Sequence, residues 1–232
     1  MKRIVVSGGS RGIGRAIALR FAREEFAVAL FSRRKEELEK IKGELEAAGA
    51  AQLIIRQADA SRPDEIRSFA ETVLEAWSGC DVLVNNVGIF EPENILNASE
   101  GALERMMQVN LYASYNLTRY LVNAMPKNGK SYIFNICSTA SLKAYPGGNL
   151  YAISKHALLG FSRGLREELK GKLRISSIMP GAVLTDSWAE TELPPERFMP
   201  AKDIADVLWQ FYECSSRTVV EEIVLRPLSG DI

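Results

Sequence analysis

The sequence predicts an α/β fold, a single domain built on a doubly wound, seven-stranded parallel sheet with helices on both faces. Short apolar runs rich in β-branched residues alternate along the chain with segments of helical periodicity. Most of these runs lack the polar alternation of a half-exposed strand, which indicates strands covered on both faces. We see no internal repeat, low-complexity segment or linker, so residues 1–232 are assigned to one domain.

Seven apolar runs are predicted as strands. In chain order they are 3–7, 26–31, 52–56, 81–84, 132–136, 174–179 and 222–225. Because helical segments separate them, neighbouring strands are expected to be parallel and joined by right-handed crossovers.

Helical periodicity occupies the segments between the strands. Two of these segments each place four apolar residues at spacings of three or four: Leu38, Ile41, Leu45 and Ala48, and Ile66, Phe69, Val73 and Trp77. Each set forms one apolar stripe on an otherwise charged helix. Longer patterns over 99–124 and 149–170 predict two further helices. The stretch 186–200 carries three prolines and no periodicity, and we expect 185–200 to be a substrate lid.

Charge balance and residue counts exclude several classes of function. Lys+Arg and Asp+Glu both number 29, so no net charge attracts nucleic acid or an anionic membrane. Three scattered cysteines and one histidine, His156, cannot build a disulfide framework, a Cys- or His-based metal site or a Ser-His-Asp triad. No apolar run is long enough for a membrane span or a secretory signal. We therefore expect a cytoplasmic protein whose partner is neither nucleic acid nor a membrane.

The first predicted strand runs into a glycine-rich turn, 7–14, and a helical pattern follows it. Glycine allows the backbone to turn tightly and approach a pyrophosphate, while the following helix offers unpaired N–H groups. A purely structural turn also favours glycine, but a strand–turn–helix unit is the context that a dinucleotide fingerprint requires. The turn therefore predicts dinucleotide contacts from Gly8, Ser10, Arg11, Gly12, Ile13 and Gly14.

The second predicted strand ends at Ser32, Arg33 and Arg34 rather than at an acidic residue. No carboxylate is expected there to accept a ribose 2′-hydroxyl or to repel a 2′-phosphate. The two arginines and Arg11 are able to hold such a phosphate by charge-assisted hydrogen bonds. The alternative is a solvated helix start at Ser32.

Tyr151 and Lys155 are four residues apart on the predicted helix 149–170 and share one of its faces. A neighbouring ammonium favours the phenolate and so suits a general acid/base. A tyrosine and a lysine at this spacing are common by chance, so the pair indicates a catalytic site only together with other residues of the predicted site. Polar or small residues lie at other strand ends or in the helices that follow, where open α/β sheets bind ligands: Asn86, Gly88, Asn110, Ser138, Pro180, Gly181 and Thr185.

With these motifs in this order, nearly the whole chain resembles the short-chain dehydrogenase/reductase family of Rossmann-fold enzymes. The resemblance implies that Tyr151 donates a proton to a substrate carbonyl and that Ser138 donates to the same oxygen. It also implies that Lys155 lowers the pKa of Tyr151 and binds the nicotinamide ribose. Asn110 is implied to hold a water of a proton relay.

The same resemblance implies the cofactor NADP(H), which accompanies arginine at positions 11 and 33 in the family. The other implied cofactor contacts, from the adenine to the nicotinamide end, are Asp59, Asn86, Gly88, Pro180, Gly181 and Thr185. The chain departs from the family pattern at Val87, where alanine is usual, and Ser7 replaces a usual threonine.

The leading functional hypothesis is an NADPH-dependent carbonyl reductase or alcohol dehydrogenase acting on a small carbonyl or 3-hydroxy acid. The tail 221–227 is similar to the family branch that includes 3-hydroxy acid and serine dehydrogenases and sepiapterin reductase-like enzymes. A 3-oxoacyl-[acyl-carrier-protein] reductase stays open, although the predicted lid is acidic: Asp186, Glu190, Glu192 and Glu196. A catalytically silent NADP-binding regulator is the second alternative, against which the complete catalytic set argues.

The helices 99–124 and 149–170 carry more apolar surface than one sheet face needs. The residues concerned are Leu111, Tyr112, Tyr115, Leu158, Leu159 and Phe161. Because the resembling family pairs these helices between subunits, we expect a homodimer or a homotetramer.

Overall fold

The computed structural model describes residues 1–185, 188 and 191–231. Within them seven strands form one sheet: β1 Arg3–Ser7, β2 Ala27–Ser32, β3 Leu53–Gln57, β4 Val82–Asn85, β5 Tyr132–Ile136, β6 Arg174–Pro180 and β7 Glu222–Leu225. Every predicted strand is present, with each end within about one residue of its predicted position, the scatter expected of strand boundaries.

The strands are all parallel and lie in the order β3-β2-β1-β4-β5-β6-β7. Because β1 neighbours both β2 and β4, the chain reverses its direction of winding between β1 and β4. Ligand crevices of open α/β sheets lie outside the carboxyl ends of the strands at such a switch point. The doubly wound Rossmann fold predicted from the sequence is therefore confirmed.

Seven α-helices are described: α1 Gly12–Ala22, α2 Lys35–Ala48, α3 Pro63–Trp77, α4 Ala102–Met107, α5 Ala113–Leu121, α6 Asn149–Glu168 and α7 Ala201–Glu213. A π-helical segment, Gln108–Tyr112, joins α4 to α5, so the predicted helix 99–124 is interrupted in its middle. Such segments widen the backbone ring and are frequent at functional sites. Helix α7 is not among the predicted elements.

Two apolar clusters cover the two faces of the sheet. Along β1, Ile4 and Val6 pack with α1, α2 and α7, whereas Val5 packs with α3 and α5. The strands are buried on both sides for this reason, which explains their unbroken apolar sequences.

The surface assigned to assembly is smaller than predicted. Tyr112 and Tyr115 are 45% and 40% exposed, but Leu158 and Leu159 are buried in a small cluster with Cys137 and Met179. These two leucines face the sheet because their spacing from other buried residues of α6 follows the helical period.

None of the helices in the described part of the chain is both long and apolar enough to cross a membrane.

Candidate active site

A cleft of about 650 Å³ runs along the carboxyl ends of the strands on both sides of the switch point. It brings together most of the predicted site residues: Gly8, Ser10, Arg11, Gly12, Ile13, Ser32, Arg33, Asp59, Asn86, Gly88, Ser138, Tyr151, Lys155, Pro180, Gly181 and Thr185. Gly14, Arg34 and Asn110 do not line the cleft, and each of them instead contacts residues beside it.

The glycine-rich turn between β1 and α1 is shaped by close backbone approaches. Gly8 and Gly12 have φ angles of +67° and +55°, which favour glycine over other residues. A Cβ at Gly14 would lie 2.3 Å from the Gly8 carbonyl oxygen and 2.4 Å from Nδ2 of Asn86. Gly14 therefore allows α1 to begin directly behind the turn, although it does not face the cleft.

Ser7 and Asn86 connect this turn to the end of β4. The buried Ser7 hydroxyl donates to the Val84 carbonyl at 3.3 Å and accepts from the backbone N–H groups of Asn86 and Val87, at 2.9 and 3.1 Å. The Asn86 side chain donates to the carbonyls of Ser7 and Gly8, at 2.9 and 3.0 Å. Ser7 thus has a positioning role that requires only a hydroxyl, and Val87 is accommodated beside it.

The end of β2 differs from the sequence-based prediction in one respect. A carboxylate does stand beside it, because Glu37 in the first turn of α2 accepts a hydrogen bond from Ser10 Oγ at 2.8 Å. Its other carboxylate oxygen lies 3.1 Å from Arg34 Nε and 4.0 Å from Arg11 Nη1. Ser10 Oγ also lies 2.8 Å from Ser32 Oγ. Two of the three arginines predicted to face an anion, Arg11 and Arg34, are thus partly engaged by a residue five positions beyond the strand end.

Asp59 lies after β3 at the same end of the cleft. Its carboxylate accepts from the backbone N–H and the hydroxyl of Ser61, each at 2.8 Å. Burial works to raise the pKa of Asp59, but these hydrogen bonds and the charge of Arg33 outweigh it, and the net pKa lies below its usual value. Asp59 is therefore a fixed, ionised acceptor at the cleft wall.

Ser138 and Tyr151 meet at the opposite end. Ser138 follows β5 and caps a short 3₁₀ turn, where its Oγ accepts from the Ala140 N–H at 3.1 Å. The Ser138 side chain is also hydrogen-bonded to the phenol of Tyr151 on α6. The ring of Phe90 packs edge-on against Tyr151, with 5.2 Å between ring centroids.

Lys155 lies one turn along α6 from Tyr151, as the spacing predicts. Its buried Nζ donates to the Ile136 carbonyl at 2.9 Å and lies 5.7 Å from the centroid of the Tyr151 ring. A Cβ at Gly88 would come within 3.5 Å of this Nζ, so glycine there leaves the ammonium room.

Asn110 occupies the π-helical segment and is fully buried behind Lys155. Its side chain exchanges hydrogen bonds with the backbone of Ile89, at 2.7 and 3.0 Å, and donates to Ser154 Oγ at 2.9 Å. These bonds tie the loop after β4 to α6. A water held by Asn110 in a proton relay stays a prediction.

Burial dominates the electrostatics of the Tyr151–Lys155 pair. Burial raises the pKa of Tyr151 to about 12, and the hydrogen bond with Ser138 only partly opposes this. Burial lowers the pKa of Lys155 to about 8. Loss of hydration thus dominates both groups, and the implied lowering of the Tyr151 pKa by Lys155 stays a prediction. At neutral pH the phenol is protonated, which is the form that donates a proton.

These two pKa values predict the pH dependence of the carbonyl reduction that the family resemblance implies. Tyr151 remains an acid throughout the accessible range, whereas Lys155 loses its charge as the pH rises through about 8. An ammonium stabilises the phenolate left by proton donation, so kcat/KM should be flat from about pH 6 to 7 and fall above pH 8. The residual activity of Lys155→Arg should lack this alkaline limb, because a guanidinium stays charged. Activity that rises between pH 8 and 9 in the wild type would contradict the assignment.

Residues beyond the predicted set complete the cleft on the substrate side. They include three aromatic and three charged side chains: Phe90, Tyr145, Trp188, Glu91, Lys143 and Asp231. Lys143 Nζ lies 3.1 Å from a carboxylate oxygen of Asp231, so the tail of the chain folds back to the loop between Ser138 and Tyr151. Phe90, Lys143 and Tyr145 could have been predicted as cleft residues, because they lie close in sequence to Gly88 and Ser138. No local pattern marks Asp231.

The predicted lid is described only in part. Asp186, Ser187, Ala189 and Glu190 lie outside the described residues. Thr185 and Trp188 line the cleft, and a β-bridge pairs Val183 with Met199 at the base of the segment. A Cβ at Gly12 would lie 3.1 Å from Thr185 Cγ2, which places the start of the lid against the glycine turn. A lid function for 185–200 stays a prediction.

Comparison with known proteins assigns the family. The sequence model of the short chain dehydrogenases matches residues 2–195. The chain belongs to the short chain dehydrogenase family. This membership agrees with the resemblance seen in the sequence and with a cleft that joins a glycine turn to Ser138, Tyr151 and Lys155.

Three relatives extend over nearly the whole of this short chain dehydrogenase. The sepiapterin reductase of Chlorobaculum tepidum is 37% identical over 239 residues, covering 99% of this chain and 97% of the relative. An alcohol dehydrogenase of Thermococcus sibiricus, solved with 5-hydroxy-NADP, is similar with a TM-score of 0.90 and 29% identity, covering 98% and 97% of the two chains. A metagenomic short-chain oxidoreductase, solved with NADP, is similar with a TM-score of 0.84 and 32% identity, covering 97% and 96%.

Proposed function

We propose that this short chain dehydrogenase is an NADP(H)-dependent carbonyl reductase. The observation that carries the proposal is the single cleft in which Ser138, Tyr151 and Lys155 lie at one end and the glycine turn at the other. The NADP complexes of two similar structures support the choice of cofactor.

The residues of the cleft fit a dinucleotide. Gly8, Gly12 and Ile13 line the cleft, so the backbone at the start of α1 is available to an incoming diphosphate. Ser10, Arg11 and Arg33 would hold the phosphate of the adenine ribose, and Lys155 would bind the nicotinamide ribose. When bound, NADPH supplies the hydride of the reduction.

The protein residues handle the proton and the developing charge. The Tyr151 phenol, protonated at neutral pH, donates its proton to the carbonyl oxygen, and the Ser138 hydroxyl donates a hydrogen bond to the same oxygen. The Lys155 ammonium stabilises the resulting phenolate. Asn110 positions this pair by holding α6 against the loop after β4.

The substrate end of the cleft favours a flat aromatic carbonyl compound with N–H donors. Phe90, Tyr145 and Trp188 supply ring faces. Asp231 supplies a carboxylate acceptor whose two oxygens already pair with Lys143 and Arg226. Lys143 is already paired with Asp231, so a carboxylate substrate would have to compete for it. The sepiapterin reductase relative supports a pterin with a side-chain carbonyl as the substrate class.

This substrate class is tested by comparing kcat/KM for sepiapterin, 2,3-butanedione and a 3-oxoacyl thioester with NADPH. Sepiapterin should be preferred over the small diketone by about 100-fold, because two ring contacts and one hydrogen bond at about 0.5–1.5 kcal/mol each sum to about 3 kcal/mol. Asp231→Asn should reduce that preference and leave the rate with 2,3-butanedione nearly unchanged. A preference for the thioester would instead favour the acyl-carrier reductase alternative.

Assembly into a homodimer or homotetramer remains part of the proposal. It is supported by Tyr112 and Tyr115, which lie exposed on the π segment and α5, and by Ile153 on α6, which is 39% exposed.

A further inference from the structure

The carboxylate of Glu37 engages two of the donors that the proposed function assigns to the cofactor 2′-phosphate, Ser10 and Arg11, together with the neighbouring Arg34. It accepts from Ser10 Oγ at 2.8 Å and pairs with Arg34 Nε at 3.1 Å, and Arg11 Nη1 lies 4.0 Å from it. Ser32, the last residue of β2, is in the same hydrogen-bond cluster through Ser10. The Glu37 carboxylate of the protein thus already occupies part of the site that is assigned to the phosphate of the cofactor.

The position of Glu37 makes this arrangement reversible. Glu37 lies in the first turn of α2, and its side chain is 23% exposed, so rotation of the side chain can carry the carboxylate into solvent. Arg11 and Arg34 are more exposed still, at 42% and 58% of their side chains. No backbone movement is needed to release the donors, because both ends of each contact are side chains.

We propose that Glu37 is a cofactor-specificity residue that weakens the preference of this chain for NADP(H) over NAD(H). The inference rests on the proposed NADP(H) function and deepens it. To bind at this site, a 2′-phosphate has to displace the Glu37 carboxylate from Ser10 and the arginines. The phosphate is then repelled by the negative charge of that carboxylate, which stays nearby. A 2′-hydroxyl carries no charge and requires no such exchange. The acidic group at this site therefore comes from the helix after β2 and not from the end of the strand.

The experiment measures the dissociation constants of NADP⁺ and NAD⁺ by titration calorimetry for the wild type, Glu37→Gln and Glu36→Gln. Glu36 is an exposed neighbour in the same helical turn, so its variant removes the same charge without touching the cluster. Glutamine keeps the acceptor for Ser10 but removes the charge. Glu37→Gln should bind NADP⁺ about 10-fold more tightly and NAD⁺ within about 2-fold of the wild type, and Glu36→Gln should change neither by more than about 2-fold.

Two outcomes would overturn the proposal. One is an unchanged NADP⁺ affinity in Glu37→Gln, and the other is a weaker NADP⁺ affinity, which would mean that Glu37 holds the arginines in place for the phosphate. Arg33→Ala separates this result from a failure of the proposed function. If Arg33→Ala weakens NADP⁺ binding selectively while Glu37→Gln has no effect, only the role of Glu37 is wrong. If the wild type and Arg33→Ala both bind NADP⁺ and NAD⁺ equally, the NADP(H) assignment itself fails.

Discussion

Replacing Tyr151 by phenylalanine should lower the turnover of carbonyl reduction by about 10²–10⁴-fold, the range attributed to general acid–base catalysis. The phenol is hydrogen-bonded to Ser138 and is protonated at neutral pH, so the variant loses the proton donor and little else. The affinity for NADPH should stay nearly constant, because the phosphate and ribose contacts are assigned to other residues. Steady-state kinetics and calorimetric titration measure the two quantities separately.

Tyr145→Phe is the matched control, because it removes a second phenol from the same cleft. Its turnover should change by less than about 10-fold if Tyr145 supplies only a ring contact. A Tyr151→Phe variant that keeps most of its activity while Tyr145→Phe loses it would transfer the acid role to Tyr145.

Replacing Gly14 by alanine should abolish detectable NADPH binding and lower the free energy of unfolding by about 3 kcal/mol, as overpacking of a tight site does. The added methyl group would lie 2.3 Å from the backbone carbonyl oxygen of Gly8, so the turn or α1 must move. The clash lies in the turn that is assigned to the cofactor diphosphate, so the same substitution lowers stability and prevents NADPH binding. Urea unfolding and calorimetry measure the two effects.

Gly43→Ala provides the comparison for this substitution. Gly43 lies in α2 with no atom within 4 Å of an added Cβ, so alanine there should stabilise the protein by about 0.5–1 kcal/mol through helix propensity. NADPH binding to Gly43→Ala should equal that of the wild type. The account of the turn would be contradicted if Gly14→Ala bound NADPH as tightly as Gly43→Ala does.

Much of the fold could be predicted from local sequence because parallel strands covered on both faces carry unbroken apolar runs. Helix α7 could also have been predicted, since Ile204, Leu208 and Tyr212 recur at a spacing of four and are buried. The π segment around Asn110 could not, because the periodicity of 99–124 continues across it with only a small change of phase. Burial of Leu158 and Leu159 depends on the tertiary placement of α6.

The site was predictable where motifs occur at fixed spacings, as with Tyr151 and Lys155. Contacts between distant segments were not predictable: Asp231 reaches Lys143 only because the tail folds back across the sheet. The carboxylate of Glu37 was not predictable from the end of β2, because it reaches Ser10 from the first turn of the next helix. The pKa values of Tyr151 and Lys155 depend on burial, which the sequence does not show.

The central claim, that this short chain dehydrogenase reduces carbonyl compounds with NADPH, is tested most directly by NADPH oxidation at 340 nm. Wild-type protein would be assayed with sepiapterin, aldehydes, ketones, diketones and 3-oxo acids, and the products quantified. We expect that at least one carbonyl compound is consumed with one NADPH per alcohol formed, and that NADH supports a slower reaction. Protein that binds NADPH but oxidises it with none of these compounds would contradict the claim and favour the silent regulator.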